Sequence, residues 1–319
     1  MLLIRMFKWG NYEENITFGQ KLFPCGAAPT FWSLNWAAAL LHLVNTVATL
    51  LLWFASDGRD QVFQLTENYA PWVPPTNGTC PENAFKVSDE WCVSKENKAT
   101  TDLSLWWLVI AFHFLSFVFQ AVAMAEWDFD ICGFKIQRGS YIQEIEQEGT
   151  NSLRMFEYSI SATLMQISIA LILGVWDRLT VIGIAFLTVV TMLQGLVAEK
   201  IKYTDLDMAW VSHLSGWVSM GGVWLIIGRQ FLFTIENSGE NLPPTFVYAI
   251  VGVIGILYTG FALVQFVELC ITGKDKTTEK AKARHIKIEM TYCVLSLVSK
   301  TFLGWIIFAN ALVGMAKNN

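Results

Sequence analysis

Charged side chains are scarce in this sequence. Asp, Glu, Lys and Arg make up 15% of its 319 residues, whereas soluble domains carry about 25%. Hydrophobic residues make up 54%, and the mean hydropathy is +0.42. This deficit argues against a soluble domain and indicates a membrane protein. Neither sign of charge dominates, because 22 basic and 27 acidic residues leave a net charge of −5. That balance argues against nucleic acid or an acidic substrate as a partner.

Two further features are missing. Residues 1–30 hold five charged residues and no clean apolar stretch, so they do not read as a secretory signal. The first apolar run is therefore expected to stay in the mature protein. The six cysteines contain no pair with metal-ligand spacing. Cys80 and Cys92 share one polar loop, where they could form a disulfide or remain two free thiols.

Seven apolar runs are long enough to cross roughly 30 Å of hydrocarbon as helices. The predicted spans are 31–55, 103–125, 152–175, 179–198, 208–227, 244–269 and 288–315. Short connections favour a single up-and-down bundle, an all-α seven-helix membrane domain over 31–315. The amino-terminal segment 1–30 and the tail 316–319 complete the chain.

The distribution of Lys and Arg predicts the orientation. The amino-terminal segment and the second–third, fourth–fifth and sixth–seventh connections hold three, two, two and six of them, thirteen in all. The opposite side holds seven. The positive-inside rule therefore predicts a cytoplasmic amino terminus and an extracellular carboxyl terminus.

The first loop, 57–102, is far longer than a typical connection. It could form a short β-hairpin that covers the outer face of the bundle at a dimer contact, or it could be a mobile, glycosylated loop. The sequon at Asn77 makes that residue a glycosylation candidate on the outer side.

Lys300 is the residue that points to function. It lies in the middle of the seventh span, too deep to reach either surface. A lone ammonium there costs about 3 kcal/mol or more. Pairing, loss of the proton or formation of a Schiff base each relieves that cost. A plain Lys–Glu pair that joins two helices is the structural alternative.

Glu157 is the candidate partner of Lys300. The third and seventh spans run in the same direction, and a helical side chain leans toward its own amino terminus, so Lys300 reaches back toward Glu157. Arg154, one turn before Glu157, could pair with that carboxylate or anchor the helix at the interface. Ser296, one turn before Lys300, could bond the lysine nitrogen or its own helix backbone.

Further polar residues could extend this site in both directions. Glu289 lies on the face of Lys300 about 16 Å nearer the cytoplasm. With Arg154 and Glu199 it could form an inner polar cluster, or it could be a solvated carboxylate at a helix end. His42 and His113 could accept a proton that leaves the lysine nitrogen, or they could be core histidines with satisfied bonds.

At these residues the chain resembles the heliorhodopsin family. The run Arg154-Met155-Phe156-Glu157-Tyr158-Ser159 is similar to the family's third-helix motif. The run Ser296-Leu297-Val298-Ser299-Lys300 is similar to its seventh-helix retinal motif. The inverted topology and the long first outer loop also resemble this family, and the resemblance covers about residues 30–315.

The resemblance implies all-trans retinal on Lys300 as a protonated Schiff base, with Glu157 as its counterion. It implies a hydrogen-bonding role for Ser296 and a proton-accepting region that contains His42 and His113. Tyr258 and Phe261 of the sixth span are candidate pocket aromatics. The family also implies a homodimer and a slow light sensor that does not pump ions.

The sequence thus predicts a light-sensing membrane protein rather than an enzyme, placed in the plasma membrane and acting through a downstream signalling partner. A light-gated passive proton channel on the same scaffold is one alternative. A retinal-free transporter or receptor that uses the Lys300–Glu157 pair as a switch is another.

Overall fold

The computed structural model describes residues 29–55, 62–77, 79–81, 84–88, 90–94, 96–125, 129–131, 134–136, 140–240, 242–272, 276 and 278–312. Within these residues, seven helices are long and apolar enough to cross a membrane. The predicted fold class is therefore confirmed. The predicted amino-terminal segment, apart from its last two residues, and the tail 316–319 lie outside the described part.

The seven helices follow one another in the predicted order. They span Pro29–Ala55, Leu105–Ala125, Ser152–Ile172, Arg178–Ile201, Leu206–Asn237, Thr245–Ile271 and Glu279–Ile306, and the last continues as a π-helical turn, Ile307–Leu312. Four of them begin at a side-chain cap. Asn151, Asp177, Asp205 and Thr278 accept a hydrogen bond from the backbone N–H three residues further on.

Most helix boundaries lie within about three residues of the prediction, as at the end of the third helix, and two differ by more. The third helix ends at Ile172, because Gly174 takes a left-handed φ of +88° that terminates the helix. The fifth helix continues to Asn237, and the seventh begins at Glu279. Both extensions contain charged residues, so the apolar pattern alone could not mark them.

The first loop forms small β-sheets at one end of the bundle, called here the outer end. Strands β1 (Phe63–Tyr69) and β5 (Glu96–Leu103) pair antiparallel. Strands β2 (Trp72–Val73), β3 (Ala84–Lys86) and β4 (Cys92–Ser94) form a second sheet in the order β2-β4-β3. The predicted hairpin is therefore present.

Two sets of contacts hold this loop in place. A disulfide joins Cys80 to Cys92, with their Cα atoms 5.7 Å apart. The Thr66 N–H donates to the Trp176 carbonyl at 2.9 Å, which ties β1 to the third–fourth connection. Asn77 is exposed in a turn closed by Thr76 and Thr79, with a positive φ of 53°.

The opposite, inner end carries the second–third, fourth–fifth and sixth–seventh connections. A short helix, Ser140–Gln143, and a π-helical turn, Glu144–Glu148, lie between the second and third helices, and the π-helical turn packs against the seventh. The main apolar core fills the bundle between its second to seventh helices, and it surrounds the level at which Lys300 lies.

Candidate functional site

Lys300 lies inside the bundle, and its side chain is 3% exposed. Its Nζ is 2.6 Å from Glu157 Oε1 and 2.7 Å from Ser116 Oγ. The Ser116 hydroxyl accepts from the lysine and donates to Glu157 Oε1 at 2.7 Å. The ring of Tyr158 adds a cation–π contact, with its centroid 5.0 Å from Nζ. These contacts offset the cost of burying an ammonium group, which is about 3 kcal/mol or more without a partner.

The structure thus brings the predicted pair Lys300 and Glu157 together, and it adds a residue that the sequence reading missed. Ser116 belongs to the second helix and lies one turn after His113, on the same face. The hydroxyl bonded to the lysine nitrogen is that of Ser116, whereas Ser296 was the residue expected to make this bond. Ser296 instead lines the wall of a cavity next to Lys300.

That cavity has a volume of about 320 Å³ and lies between the third to seventh helices. Its walls are mostly apolar and include both predicted pocket aromatics, Tyr258 and Phe261. Phe261 meets Tyr158 edge-on at 5.5 Å between ring centroids. Tyr258 donates to the Ala162 carbonyl at 3.4 Å. This volume falls in the range of small-molecule sites, about 300–1,000 Å³.

The residues present fit a retinal chromophore. Retinal is an apolar polyene aldehyde, and it needs a primary amine at the wall of an apolar, aromatic-lined cavity. Lys300 supplies the amine and lines this cavity. Glu157 supplies a negative charge beside the amine nitrogen, where a protonated Schiff base would carry its positive charge.

A second polar group lies toward the inner end. Arg154 forms ion pairs with Glu199 of the fourth helix and Glu289 of the seventh. Its guanidinium also lies over the Tyr292 ring, 3.9 Å from the centroid. The Arg154 side chain is only 7% exposed, so it is not an anchor at the membrane interface. Its carboxylate partners are Glu199 and Glu289, so it does not pair with Glu157. Glu289 is likewise buried, so the alternative of a solvated carboxylate is wrong.

Asn151 links this group to the start of the third helix. Its side-chain oxygen caps that helix, and its Nδ2 donates to Glu289 Oε2 at 2.8 Å. Arg154, Glu289 and Glu157 all line a cavity of about 40 Å³. That volume is large enough for two or three waters, since each needs roughly 10–15 Å³ of such space.

The sequence reading also missed a buried ion pair nearby. Lys202, at the end of the fourth helix, is fully buried and bonds both Glu268 of the sixth helix and the Gly149 carbonyl. Glu199 interacts electrostatically with both members of this pair. Lys202 falls in the predicted fourth–fifth connection, and Glu268 falls next to the end of the predicted span 244–269. Neither position shows which helices the side chain will approach.

The two remaining predicted residues lie on the outer side of Lys300. His42 Nδ1 and His113 Nδ1 are 3.2 Å apart, and both rings are buried. Gly304, one turn beyond Lys300, faces His113 so closely that a Cβ at this position would collide with the His113 ring. A histidine pair therefore lies about one turn from the lysine. The Nε2 atoms of both histidines have no hydrogen-bond partner among the described residues.

His213 of the fifth helix is buried and also lines the cavity. Its Nδ1 is 2.9 Å from Gln265 Oε1, and its Nε2 accepts from the Trp217 indole at 3.0 Å. With Nε2 as the acceptor, Nδ1 donates to the Gln265 amide oxygen. His213 is thus a structural link between the fifth and sixth helices.

Comparison with known proteins gives one family and one fold. The sequence model of the Heliorhodopsin family matches residues 31–312. The chain has the fold of a thermophilic rhodopsin from Rubrobacter xylanophilus, with 12% identity and a TM-score of 0.54 over 89% of this chain and 98% of that one. Halorhodopsin, a light-driven chloride pump, gives 12% identity and a TM-score of 0.52 over 90% of this chain and 95% of that one. Such low identities establish the fold alone, and no curated protein matches the chain.

Proposed function

The chain belongs to the heliorhodopsin family, and from this premise we propose that it is a light sensor that signals and does not pump ions. Membership of the family implies a retinal chromophore in a multi-pass membrane protein, a photoreceptor rather than a classical enzyme. The finer proposal is all-trans retinal on Lys300 as a protonated Schiff base. The observation that carries it is a buried primary amine, paired to one carboxylate, on the wall of an apolar cavity.

Each residue around Lys300 has a distinct part in this proposal. When bound, retinal supplies absorption of visible light and a change of shape on isomerisation. Glu157 balances the positive charge at the lysine nitrogen, and Ser116 fixes the position of the Glu157 carboxylate. Ser296, Tyr258 and Phe261 shape the cavity. His42 and His113 are the proposed proton acceptor, because their paired rings are buried and retain an unpaired nitrogen.

Among the described residues, two positions where a pump would carry its proton donor offer no free carboxylate, and this argues against pumping. The third-helix position about three turns beyond Glu157 is Ser168, whose hydroxyl donates to its own backbone at Leu164. On the sixth helix, Glu268 is held by Lys202. Neither group is available to return a proton to the lysine nitrogen. A pump requires such a donor on one side of the membrane.

A light-gated passive proton channel is the second candidate, and one observation favours it. The first helix presents a buried polar face toward the bundle, formed by Asn35, His42, Asn45, Thr46 and Thr49. Polar groups inside a spanning helix mark ion or proton pathways by default. The third candidate, a retinal-free transporter or receptor, loses its support because the family implies a chromophore.

The proposal also covers placement and assembly. The amino terminus is cytoplasmic, the outer end with its disulfide and Asn77 glycosylation site faces the exterior, and the membrane is the plasma membrane. The protein is a lipid-embedded homodimer that acts on a downstream signalling partner.

One expression experiment tests the chromophore and the transport mode together. We expect the protein expressed with all-trans retinal to absorb visible light, and Lys300→Ala and Lys300→Arg to be colourless, because only a primary amine forms the imine. A coloured, retinal-bearing Lys300→Arg protein would overturn the proposal. Photocurrent recorded at several voltages separates the three transport modes. We expect no current from a sensor, a current that follows the applied voltage from a channel, and a current at zero driving force from a pump.

A further inference from the structure

An apolar layer fills the outer half of the interface at which the first, second and seventh helices meet. Trp106 and Phe308, called here the outer layer, are 1% and 5% exposed. Their rings meet edge-on, with centroids 5.0 Å apart. Ile307, which is fully buried, lies beside Phe308 in the seventh helix. Bulky side chains thus fill this part of the helix interface.

The outer layer lies directly outward of the histidine pair. Trp106 precedes His113 by seven residues, two turns on the same face of the second helix, which corresponds to roughly 10 Å along its axis. Gly304 contacts the His113 ring, and Phe308 is one turn beyond Gly304 on the seventh helix. Both helices therefore place the layer between the histidines and the outer face.

Polar atoms without partners lie on the inner side of the layer. His42 Nε2 and His113 Nε2 are buried, and neither has a hydrogen-bond partner among the described residues. The apolar layer therefore lies between these two nitrogens and the outer face.

The polar face of the first helix does not bypass the layer. Thr46 and Thr49 donate to their own backbone, at His42 O and Asn45 O. The Asn45 amide is engaged by Thr301 and by the Trp305 indole, at 3.3 and 3.1 Å. Each donor is already committed, so these side chains form no open relay to the surface.

We propose that Trp106 and Phe308 form a hydrophobic gate, which keeps water from the outer face away from His42 and His113 and retains a proton taken up there. The proton binds an unprotonated imidazole nitrogen of the pair and returns by the route on which it arrived. The role of light rests on the proposed function, whereas the exclusion of water is a property of the protein itself.

The first test measures water access without using the chromophore. The ring-carbon hydrogen of histidine exchanges slowly with D2O when water reaches the ring, and mass spectrometry of peptides reads the exchange. In the full-length protein in lipid nanodiscs, we expect His42 and His113 to be protected. Trp106→Ala and, independently, Phe308→Ala should lose this protection.

Trp107→Ala is the matched control, since Trp107 is the neighbouring tryptophan but is 50% exposed and contacts Trp53 instead. It should retain full protection. Phe308→Ala decides the question if Trp106→Ala does not fold, as judged by thermal unfolding. Exchange at His42 and His113 in the unmodified protein, or protection that persists in both gate variants, would overturn the proposal.

A second test follows protons after a light flash with a membrane-impermeant pH dye. The unmodified pigment and Trp107→Ala should release none to the outer medium, and the gate variants should release protons transiently. Failure of the chromophore to bind would contradict the proposed function, but the exchange measurement would still decide the gate. Release from the unmodified pigment would contradict the gate itself.

Discussion

At the scale of single residues, the site was partly readable from the sequence. Lys300 and Glu157 stood out because ionisable groups within spans are rare, and the structure places them 2.6 Å apart. Ser116 did not stand out, because a serine in a helix usually bonds its own backbone. Only the approach of the second helix to the third and seventh directs its hydroxyl to both charged groups.

The charge of Glu157 should set the colour of the pigment. In the ground state, the positive charge of the chromophore lies at the lysine nitrogen, and excitation moves it along the polyene. A carboxylate beside the nitrogen therefore stabilises the ground state more than the excited state. We expect Glu157→Gln, which keeps the shape and removes the charge, to shift the visible band to longer wavelength.

The same substitution should change the pH titration of that band. Without the carboxylate, the protonated form is less stable, so the visible band should give way to a near-ultraviolet form at lower pH than in the unmodified pigment. Glu268→Gln is the control, since Lys202 holds that carboxylate away from Lys300, and its spectrum should not change. An unchanged wavelength and titration in Glu157→Gln would make Glu289 the next candidate counterion.

At the scale of helices, the sequence predicted which segments span the membrane but not where all of them end or what joins them. The seventh helix begins at Glu279 because Thr278 caps it, and its first turns are charged rather than apolar. The Lys202–Glu268 pair joins the ends of the fourth and sixth helices. Hydropathy carries no information about such pairings, because they depend on which helices become neighbours.

The inner cluster should stabilise the bundle through Arg154. Replacing Arg154 by Gln leaves Glu199 and Glu289 buried without their cation, and breaking a buried pair in this way costs about 3–5 kcal/mol. We therefore expect a large fall in the unfolding temperature of the retinal-free protein in detergent. The measurement is a thermal unfolding curve for each variant.

Arg178→Gln provides a matched comparison. Arg178 also pairs with a glutamate, Glu67, at 3.3 Å, but its side chain is 44% exposed. Exposed pairs contribute about 0–1 kcal/mol, so this variant should unfold close to the unmodified protein. Equal losses in the two arginine variants would show that burial of the inner cluster does not control its stabilising effect.

At the scale of the whole molecule, composition and hydropathy were enough to predict the seven-helix bundle, because a spanning chain must satisfy its backbone hydrogen bonds inside each helix. They could not give the cavity, whose walls come from five helices. Nor could they show that the long first loop would be tied to the third–fourth connection through Thr66. These features arise from packing between segments that are distant in the sequence.

The two ends of the molecule differ in charge, and this difference predicts its orientation. The exposed Lys280 and Lys287 lie on the first turns of the seventh helix at the inner end, and the disulfide lies at the outer end. Basic connections remain in the cytoplasm, and disulfides persist in oxidising compartments. We therefore expect an epitope tag at the amino terminus to be inaccessible to antibody in intact cells, and a tag inserted in the turn at Asn77 to be accessible. Permeabilised cells, in which both tags should bind, are the control, and outside labelling of the amino-terminal tag would reverse the orientation.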